Sequence, residues 1–347
     1  MKDLAIKLAV CAVLAIVALI GLEIYLRLSI PASSGESIYE YTLQTKRYKV
    51  MKPNATITAW GKELRTNQLG FRDNAPTLPA KQPGEFRIVV LGDSFTVSAG
   101  VDFGSIYTSL LQERLQERHP RVRIINLAVG GYNIIQYALV LQEVGLGLNP
   151  DLLLVAVFPE NDFSLDTYET NYRVASGQET ASPTLPWHET LYVYRAYLGK
   201  LEARVTSLLR GGEGKSGRQP EAGWERNLAA LRAISIIAAK ENIPLVLALL
   251  PSTWHFERQR ELFSRVETQC RRHDLPCLNL LERFIASGIR ESSLRLNALD
   301  AHPNEKYNAA VAEYLVPYLS TLVSTSEDRK ARRAADLSVE ATAAKPQ

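Results

Sequence analysis

The stretch Arg87-Ile88-Val89-Val90-Leu91-Gly92-Asp93-Ser94-Phe95 decides how the chain folds. It begins with a mostly apolar, β-branched run without Gly or Pro, which predicts a strand buried on both faces of a parallel sheet. Gly92-Asp93 predicts a turn. Ser94 then stands at the carboxyl end of the strand, where open α/β sheets bind ligands. Ser94 is therefore a candidate nucleophile, with a turn or helix-capping serine as the alternative.

A candidate base for Ser94 lies far downstream, in Asp300-Ala301-His302-Pro303-Asn304. A serine nucleophile needs a base, and the base needs an acid to orient it. Asp300 and His302 can meet in space if their loop bends, and Pro303 suits the first position of a following helix. The order Ser, Asp, His is used by other hydrolases. A capping aspartate beside a surface histidine is the alternative for this pair.

Short blocks of this chain, taken in order, resemble the SGNH hydrolases, also called the GDSL-like lipase/acylhydrolase family. The first block is Gly92-Asp93-Ser94-Phe95, and the second is Asn126-Leu127-Ala128-Val129-Gly130-Gly131-Tyr132-Asn133. The third is Phe158-Pro159-Glu160-Asn161-Asp162, and the last is Asp300-Ala301-His302-Pro303-Asn304. The resemblance covers about residues 66 to 322, with an insertion in the middle.

The resemblance implies a role for each block. Ser94 would be the nucleophile, His302 the base and Asp300 the acid. The oxyanion hole would consist of the backbone N–H groups of Ser94 and Gly131 and the side-chain amide of Asn161. Such a site needs no metal and no cofactor. Outside this resemblance, Gly131 would be a plain turn glycine and Asn161 a loop cap.

Two positions depart from the family pattern. Pro159 stands where the common pattern has glycine, which concerns the shape of the loop that carries Asn161. Asp300 lies two residues before His302, where many members have a spacing of three and a subset has this closer one. Neither departure removes a reacting group.

Alternating strand and helix patterns predict an α/β fold. Strands are expected at 86–91, 122–127, 152–158, 245–250 and 277–280, and helices near 105–118, 134–144, 224–241, 255–272 and 304–322. This alternation predicts a doubly wound parallel sheet of about five strands, which is the flavodoxin-like three-layer sandwich that the resemblance implies. Ser94, Gly131 and Asn161 each follow a different strand, so they should meet at the carboxyl edge of the sheet.

Composition is that of a globular protein: 347 residues, 46% hydrophobic and 22% charged, with a net charge of +3. This charge is too small to indicate nucleic-acid binding, and no basic stripe with interleaved aromatic residues is present. The cysteines are Cys11, Cys270 and Cys277. In an oxidising compartment Cys270 and Cys277 could form a disulfide, and two free thiols are the alternative.

The N-terminal segment predicts a membrane anchor. Residues 8–22 carry no charge, and Lys2 and Lys7 precede them. Counted from 4 to 28 the segment is long enough to span a bilayer. We expect an uncleaved anchor rather than a cleaved signal peptide, because no convincing cleavage site follows. The preceding lysines favour an N-terminus inside and the bulk of the chain outside, in the periplasm or beyond.

The chain is thus divided into an anchor (1–30), a polar lead-in (31–85), a hydrolase domain (86–324) with an insertion (163–223), and a tail (325–347) that we expect to be disordered. The stretch Asn67-Gln68-Leu69-Gly70-Phe71-Arg72-Asp73 is expected to pack near the site, with Arg72 as a contact. An ordinary turn with a buried Phe71 is the alternative.

The function hypotheses are three. The first is a serine esterase that removes small acyl groups, expected to be acetyl, from a surface or secreted polysaccharide. The second is an O-acyltransferase with the same triad, in which a sugar hydroxyl replaces water. The third is a non-catalytic, membrane-tethered module of envelope or polysaccharide assembly. The predicted partners are an acylated carbohydrate or another ester, and the membrane; the oligomeric state is left open.

Overall fold

The structure, a computed structural model, describes residues 2–31, 37–181, 190–194, 197 and 221–343. Its strands are β1 (Tyr39–Tyr41), β2 (Lys49–Met51), β3 (Thr56–Ala59), β4 (Lys62–Arg65), β5 (Phe86–Leu91), β6 (Val122–Asn126), β7 (Leu152–Val157), β8 (Leu245–Leu249) and β9 (Cys277–Asn279). Its helices are α1 (Lys2–Ser29), α2 (Ser94–Val97), α3 (Tyr107–Gln116), α4 (Ile134–Val140), α5 (Pro159–Asp162), α6 (Asp166–Ala175), α7 (Glu221–Lys240), α8 (Phe256–Arg272), α9 (Leu281–Ala286) and α10 (Glu305–Ala343).

The central sheet has the strand order β6-β5-β7-β8-β9, and all neighbours are parallel. Every residue of β5 and β7 is buried, as their continuous apolar runs predict for strands covered on both faces. The predicted sheet of about five parallel strands is confirmed. The chain runs from β5 to β6 in one direction and then returns past β5 to β7, so the order reverses between β5 and β7.

Helices cover both faces of the sheet. Crossovers between parallel strands are right-handed, so the oppositely directed connections β5–β6 and β6–β7 place α3 and α4 on opposite faces. The helix α10 packs against α3, and α7 packs against α4. The result is the expected three-layer arrangement. The helix predicted at 134–144 is α4 followed by a π-turn, Leu141–Gly145.

The lead-in contains two antiparallel hairpins, β1–β2 and β3–β4, which the sequence analysis did not predict. Their strands have only three or four residues and mixed polarity, so they carry no clear alternating pattern. Trp60 and Gly61 form the two-residue connection of the second hairpin, with φ of 50° and 77°. Positive φ at both positions matches a type I′ turn, whose twist suits a hairpin.

The apolar helix α1 agrees with the predicted anchor. Within its residues Asp3–Ser29, an 18-residue stretch has a mean hydropathy of 2.7, and the helix is long enough to cross a bilayer. The C-terminal end of α1 packs on the folded domain: Leu26 and Ile30 form a small buried cluster with Val193, against which Trp60 and Leu299 pack. The C-terminal end of α1 therefore touches the β3–β4 hairpin directly.

The last helix differs from the prediction. We expected it to end near 322, but α10 continues to Ala343. The extra segment is rich in Ala, Glu, Arg and Lys, which are strong helix formers. The polar composition of this segment is typical of disorder, while its helix propensity indicates a continuing helix.

Cys270 ends the buried face of α8, and Cys277 begins β9. Both are free thiols in the structure, and their side chains are close enough to hydrogen-bond each other. That hydrogen bond lowers the pKa of Cys270 and, together with burial, raises the pKa of Cys277. Of the two alternatives, a disulfide or two free thiols, the structure therefore has the free thiols.

Arg72 holds the backbone at and after the end of α2, next to Ser94. Its guanidinium is buried and donates from Nη1 to the carbonyls of Val97 and Ser98, each at 2.6 Å, and from Nη2 to the carbonyl of Val101. Burial lowers the pKa of Arg72 to about 10, which leaves it protonated at neutral pH. The carbonyls lie at and after the end of α2, so Arg72 fixes the chain that follows Ser94 without lining the cleft. Phe71 is buried beside it.

We expect Arg72→Met to destabilise the protein by about 3 kcal/mol, because an unpaired buried carbonyl costs roughly 1–3 kcal/mol and the carbonyls of Val97 and Val101 lose their donor. The carbonyl of Ser98 keeps the backbone N–H of Val101 at 3.2 Å. Thermal unfolding of the detergent-solubilised full chain measures this as a midpoint lower by several degrees. The exposed Arg118, replaced by Met, is the matched control. Equal midpoints for both variants would contradict this role of Arg72.

Candidate active site

The turn after β5 is fixed by the buried carboxylate of Asp93. Its Oδ1 accepts the backbone N–H of Phe95 at 2.8 Å and so caps α2. The carboxylate also receives hydrogen bonds from the side chains of Ser94 and Asn161, and its burial raises the pKa of Asp93 to about 6. Ser94 is the first residue of α2. A backbone N–H at that position has no intrahelical acceptor, so it is available to a ligand.

The structure brings Ser94, His302 and Asp300 into one hydrogen-bonded line. His302 Nε2 lies 3.0 Å from Ser94 Oγ, and His302 Nδ1 lies 2.6 Å from Asp300 Oδ1. The same carboxylate oxygen accepts the backbone N–H of His302 at 2.8 Å. This second bond bends the loop, and it explains how an acid only two residues before the histidine can reach the imidazole ring.

Asp300 and His302 shift each other's pKa. Burial alone would raise the pKa of Asp300, but the hydrogen bonds and charge of His302 hold it below its usual value. Burial alone would lower the pKa of His302, but its hydrogen bond to Asp300 and the charges of Asp300 and Asp93 raise it above its usual value. The arrangement can therefore take a proton from the serine hydroxyl and stabilise the resulting imidazolium.

Gly131 and Asn161 lie at the same edge of the sheet, as predicted. Gly131 has φ of 77°, a left-handed conformation that favours glycine. Asn161 belongs to α5, and its amide Nδ2 lies 3.5 Å from the carbonyl of Tyr132. Pro159 occupies the first turn of α5, where proline is well accommodated. The replacement of the family's glycine by Pro159 is thus compatible with the loop that presents Asn161.

These side chains surround one cleft of about 440 Å³. The lining residues are Tyr39, Asp93, Ser94, Phe95, Gly130, Gly131, Phe158, Asn161 and His302. The stacked rings of Phe95 and Phe158, with centroids 4.0 Å apart, form an apolar wall beside the serine. Within the described residues, no group of three or more His, Cys, Asp or Glu side chains is placed to hold a metal ion.

The model of the GDSL-like Lipase/Acylhydrolase family matches residues 90–310, more than half of the chain. The chain belongs to this family. It is an ester hydrolase, and its cleft lies where the matched segment places β5, β6 and β7 side by side. The match begins inside β5, so α1 and the two hairpins of the lead-in lie outside it.

Several solved structures resemble this family member. The crystal structure of TesA matches with a TM-score of 0.43 and a sequence identity of 17%. The match covers 68% of this chain and 99% of TesA. An acetyl xylan esterase, AlAXEase, is 17% identical with a TM-score of 0.40, covering 66% and 98%. The lipase/acylhydrolase from Enterococcus faecalis is 16% identical with a TM-score of 0.42, covering 68% and 96%. No curated protein sequence matches the chain.

Trp60 is a site residue that the sequence analysis missed. Its indole Nε1 donates to Asp300 Oδ2 at 2.7 Å, so the two carboxylate oxygens have different partners, His302 on one and Trp60 on the other. Trp60 stands at the tip of the β3–β4 hairpin, far from Asp300 in sequence. The Trp60-Gly61 pair between two short strands is a turn signal, but nothing in it points to the distant carboxylate.

We expect Trp60→Phe in this esterase to lower kcat about tenfold with little change in KM. The variant keeps an aromatic ring against Leu26 and Ile30 but removes the N–H donor, and a hydrogen bond to a charged group contributes about 1.5–3 kcal/mol. Steady-state hydrolysis of a chromogenic ester, with thermal unfolding measured in parallel, tests this. An unchanged kcat in a stably folded variant would show that Trp60 does not orient Asp300.

Proposed function

We propose that the protein is a serine esterase that works through an acyl-enzyme on Ser94. The observation that carries this proposal is the unbroken line of hydrogen bonds from Asp300 through His302 to Ser94 at the wall of the cleft. A non-catalytic, membrane-tethered module, which is the third hypothesis, would not require these hydrogen bonds. The structure therefore favours the esterase hypothesis over it.

In the proposed reaction, Ser94 Oγ attacks the acyl carbonyl carbon and its proton passes to His302 Nε2. Asp300 keeps the imidazole in the tautomer that accepts at Nε2 and offsets the imidazolium charge. The oxyanion is held by the N–H groups of Ser94 and Gly131 and by the Asn161 amide. His302 then protonates the leaving alcohol. Water, activated by the same imidazole, attacks the acyl-enzyme and releases the acid.

We propose that the substrate is a small acyl ester, in particular an O-acetyl ester, on a cell-surface or secreted polysaccharide. A cleft of about 440 Å³ can admit one acylated sugar unit next to Ser94. Its lining combines the rings of Tyr39, Phe95 and Phe158 with polar groups. Aromatic faces suit the apolar faces of sugar rings, and the apolar wall suits an acetyl methyl group.

We further propose that α1 remains attached as an anchor, with the N-terminus inside and the catalytic domain in the periplasm or outside the cell. Glu23 of α1 accepts the backbone N–H groups of Tyr192 and Val193, at 3.1 and 2.8 Å, and Arg27 donates to the carbonyl of Thr190. Cleavage after α1 would remove these contacts with the insertion. The lysines before the apolar span support the orientation.

The hydrolysis experiment uses the full chain in detergent with chromogenic acetyl, butyryl and octanoyl esters. We expect the wild type to prefer acetyl, and Ser94→Ala and His302→Ala to lose several orders of magnitude in kcat. Ser264→Ala, an exposed serine on α8, is the matched control. A folded wild type without turnover, or an active Ser94→Ala variant, would contradict the proposal.

An esterase and an O-acyltransferase share the acyl-enzyme and differ in the acceptor that attacks it. The same assay can therefore distinguish them when an acceptor is added. Addition of an oligosaccharide acceptor leaves the rate of ester consumption unchanged if water is the natural acceptor. Faster consumption with acylated sugar as the product would favour the transferase instead. Mass spectrometry of the oligosaccharide measures this outcome directly.

The anchor is tested by cell fractionation. We expect the full chain to stay in the membrane fraction after salt and carbonate washing, at its full mass by intact mass spectrometry, and to be degraded by protease added to spheroplasts. A shortened protein that starts after residue 28 and appears in the soluble fraction would show that α1 is a cleaved signal.

A further inference from the structure

Lys49 has an unusual place next to the candidate oxyanion hole. It belongs to β2 in the lead-in, and its side chain is buried. The ammonium donates to the carbonyl of Gly130 at 2.7 Å. It also lies over the ring of Tyr39, 3.9 Å from the centroid, with the ring of Tyr41 at 5.8 Å.

The carbonyl that Lys49 contacts belongs to the peptide group that carries the Gly131 N–H. A peptide group is conjugated, so its oxygen and its N–H respond together. A cation on the oxygen draws electron density from the nitrogen and makes the N–H a stronger donor, as in other polarised hydrogen-bond chains. In the proposed function this N–H is one of the donors to the oxyanion.

The charge of Lys49 has no carboxylate partner among the residues that the structure describes. The groups closest to it are phenols, and burial raises the pKa of Tyr39 to about 12 and raises that of Tyr41. Both stay neutral at physiological pH. Burying an ammonium is costly unless its charge is compensated. The negative charge that develops on the substrate oxygen at the other end of the Gly130–Gly131 peptide would provide such compensation only during the reaction.

We propose that Lys49 is a positioning residue of the oxyanion hole, which holds the Gly130–Gly131 peptide and strengthens its N–H toward the developing oxyanion. This inference rests on the proposed esterase function and extends it to a residue outside the segment that the family match covers. It assigns the first hairpin of the lead-in a direct part in the chemistry.

The inference has a pH signature. Burial lowers the pKa of Lys49 to about 8, so the ammonium is present below that pH and is lost as the pH rises through it. We therefore expect kcat to fall above about pH 8. At the acid end the rate falls as His302 becomes protonated, at a pH above the usual histidine value. Together the two groups predict a bell-shaped profile.

Other titratable groups near Lys49 do not account for this basic limb. Arg47, in the turn between β1 and β2, pairs with Glu143. Tyr132 donates its hydroxyl to the backbone carbonyl of Lys49 at 2.6 Å, and burial raises its pKa well above the usual value. Asp93, whose charge reaches Tyr39, has its pKa raised to about 6 by burial and contributes at the acid end.

The helix α6 also packs against β1 and β2. Its acidic residues in the first turn are Asp166 and Glu169. On the same helix, burial raises the pKa of Tyr168 to about 12, which lies above the pH of the basic limb.

The experiment measures kcat and KM of the full-length enzyme between pH 5 and about 10 for the wild type, Lys49→Gln and Lys49→Arg. Glutamine keeps a hydrogen-bond donor without the charge, and arginine keeps the charge at every accessible pH. We expect Lys49→Gln to lose about tenfold in kcat at pH 7 with KM nearly unchanged, which is less than the loss of a whole oxyanion donor. Its basic limb should disappear, and in Lys49→Arg it should move to higher pH.

The exposed Lys52 next to β2, replaced by Gln, is the matched control, and thermal unfolding reports on folding. A Lys49→Gln variant with wild-type kcat would show that the charge plays no part and would overturn the inference alone. So would a basic limb that Lys49→Gln retains at the same pH, because another group would then titrate there. A wild type inert at every pH would overturn the esterase proposal, and the inference with it.

Discussion

The reversal of strand order between β5 and β7 is the constraint on which the site depends. Consecutive parallel strands β5, β6 and β7 end at one edge, and the connections that leave β5 and β7 diverge there and open a crevice. Ser94, Gly131 and Asn161 follow these strands directly and therefore face the same space. Asp300 and His302 come from elsewhere in the chain, from the loop before α10. That loop must be held in register with β5 by other contacts.

Asn308 provides these contacts and holds α10 in position relative to β5. It lies one turn into α10, and its side-chain oxygen accepts both the Ser98 hydroxyl at 3.0 Å and the backbone N–H of Tyr107 at 2.9 Å. The first bond ties α10 to the chain just after α2, and the second ties it to the start of α3. All of these groups are buried, where unpaired polar groups would be costly. The distance between His302 and Ser94 is therefore set by a buried polar contact behind the site as well as by the contact between the two side chains.

How much could be predicted from the sequence depends on how local each signal is. The strands of the sheet are short, continuous apolar runs, so they were located to within one or two residues. The placement of Ser94, Gly131 and Asn161 at one edge followed from the strands alone. Asp300 and His302 needed the family resemblance, because a pair two residues apart on a loop is common in unrelated proteins.

Trp60 and Lys49 could not be predicted because their partners are distant in the chain. Trp60 finds Asp300 only once the β3–β4 hairpin has folded onto the domain, and Lys49 finds Gly130 only once β2 lies over the second block. Their hairpins also lack the alternation that reveals longer strands. The helical tail was missed for another reason: its composition is polar enough to suggest disorder, while its helix propensity is high.

The lead-in is the part of this chain that distinguishes its cleft. The hydrogen-bonded line of Ser94, His302 and Asp300 and the proposed oxyanion donors lie within the segment matched by the family model. Three residues of the lead-in reach the site from outside this segment. Tyr39 lines the cleft. Lys49 contacts the Gly130 carbonyl, and Trp60 contacts Asp300. The end of α1 packs against the same hairpin that carries Trp60. The environment of Asp300 therefore depends on a hairpin that itself packs against the end of α1. Substrate preference in this member is accordingly to be sought in residues 37–65 before the shared blocks.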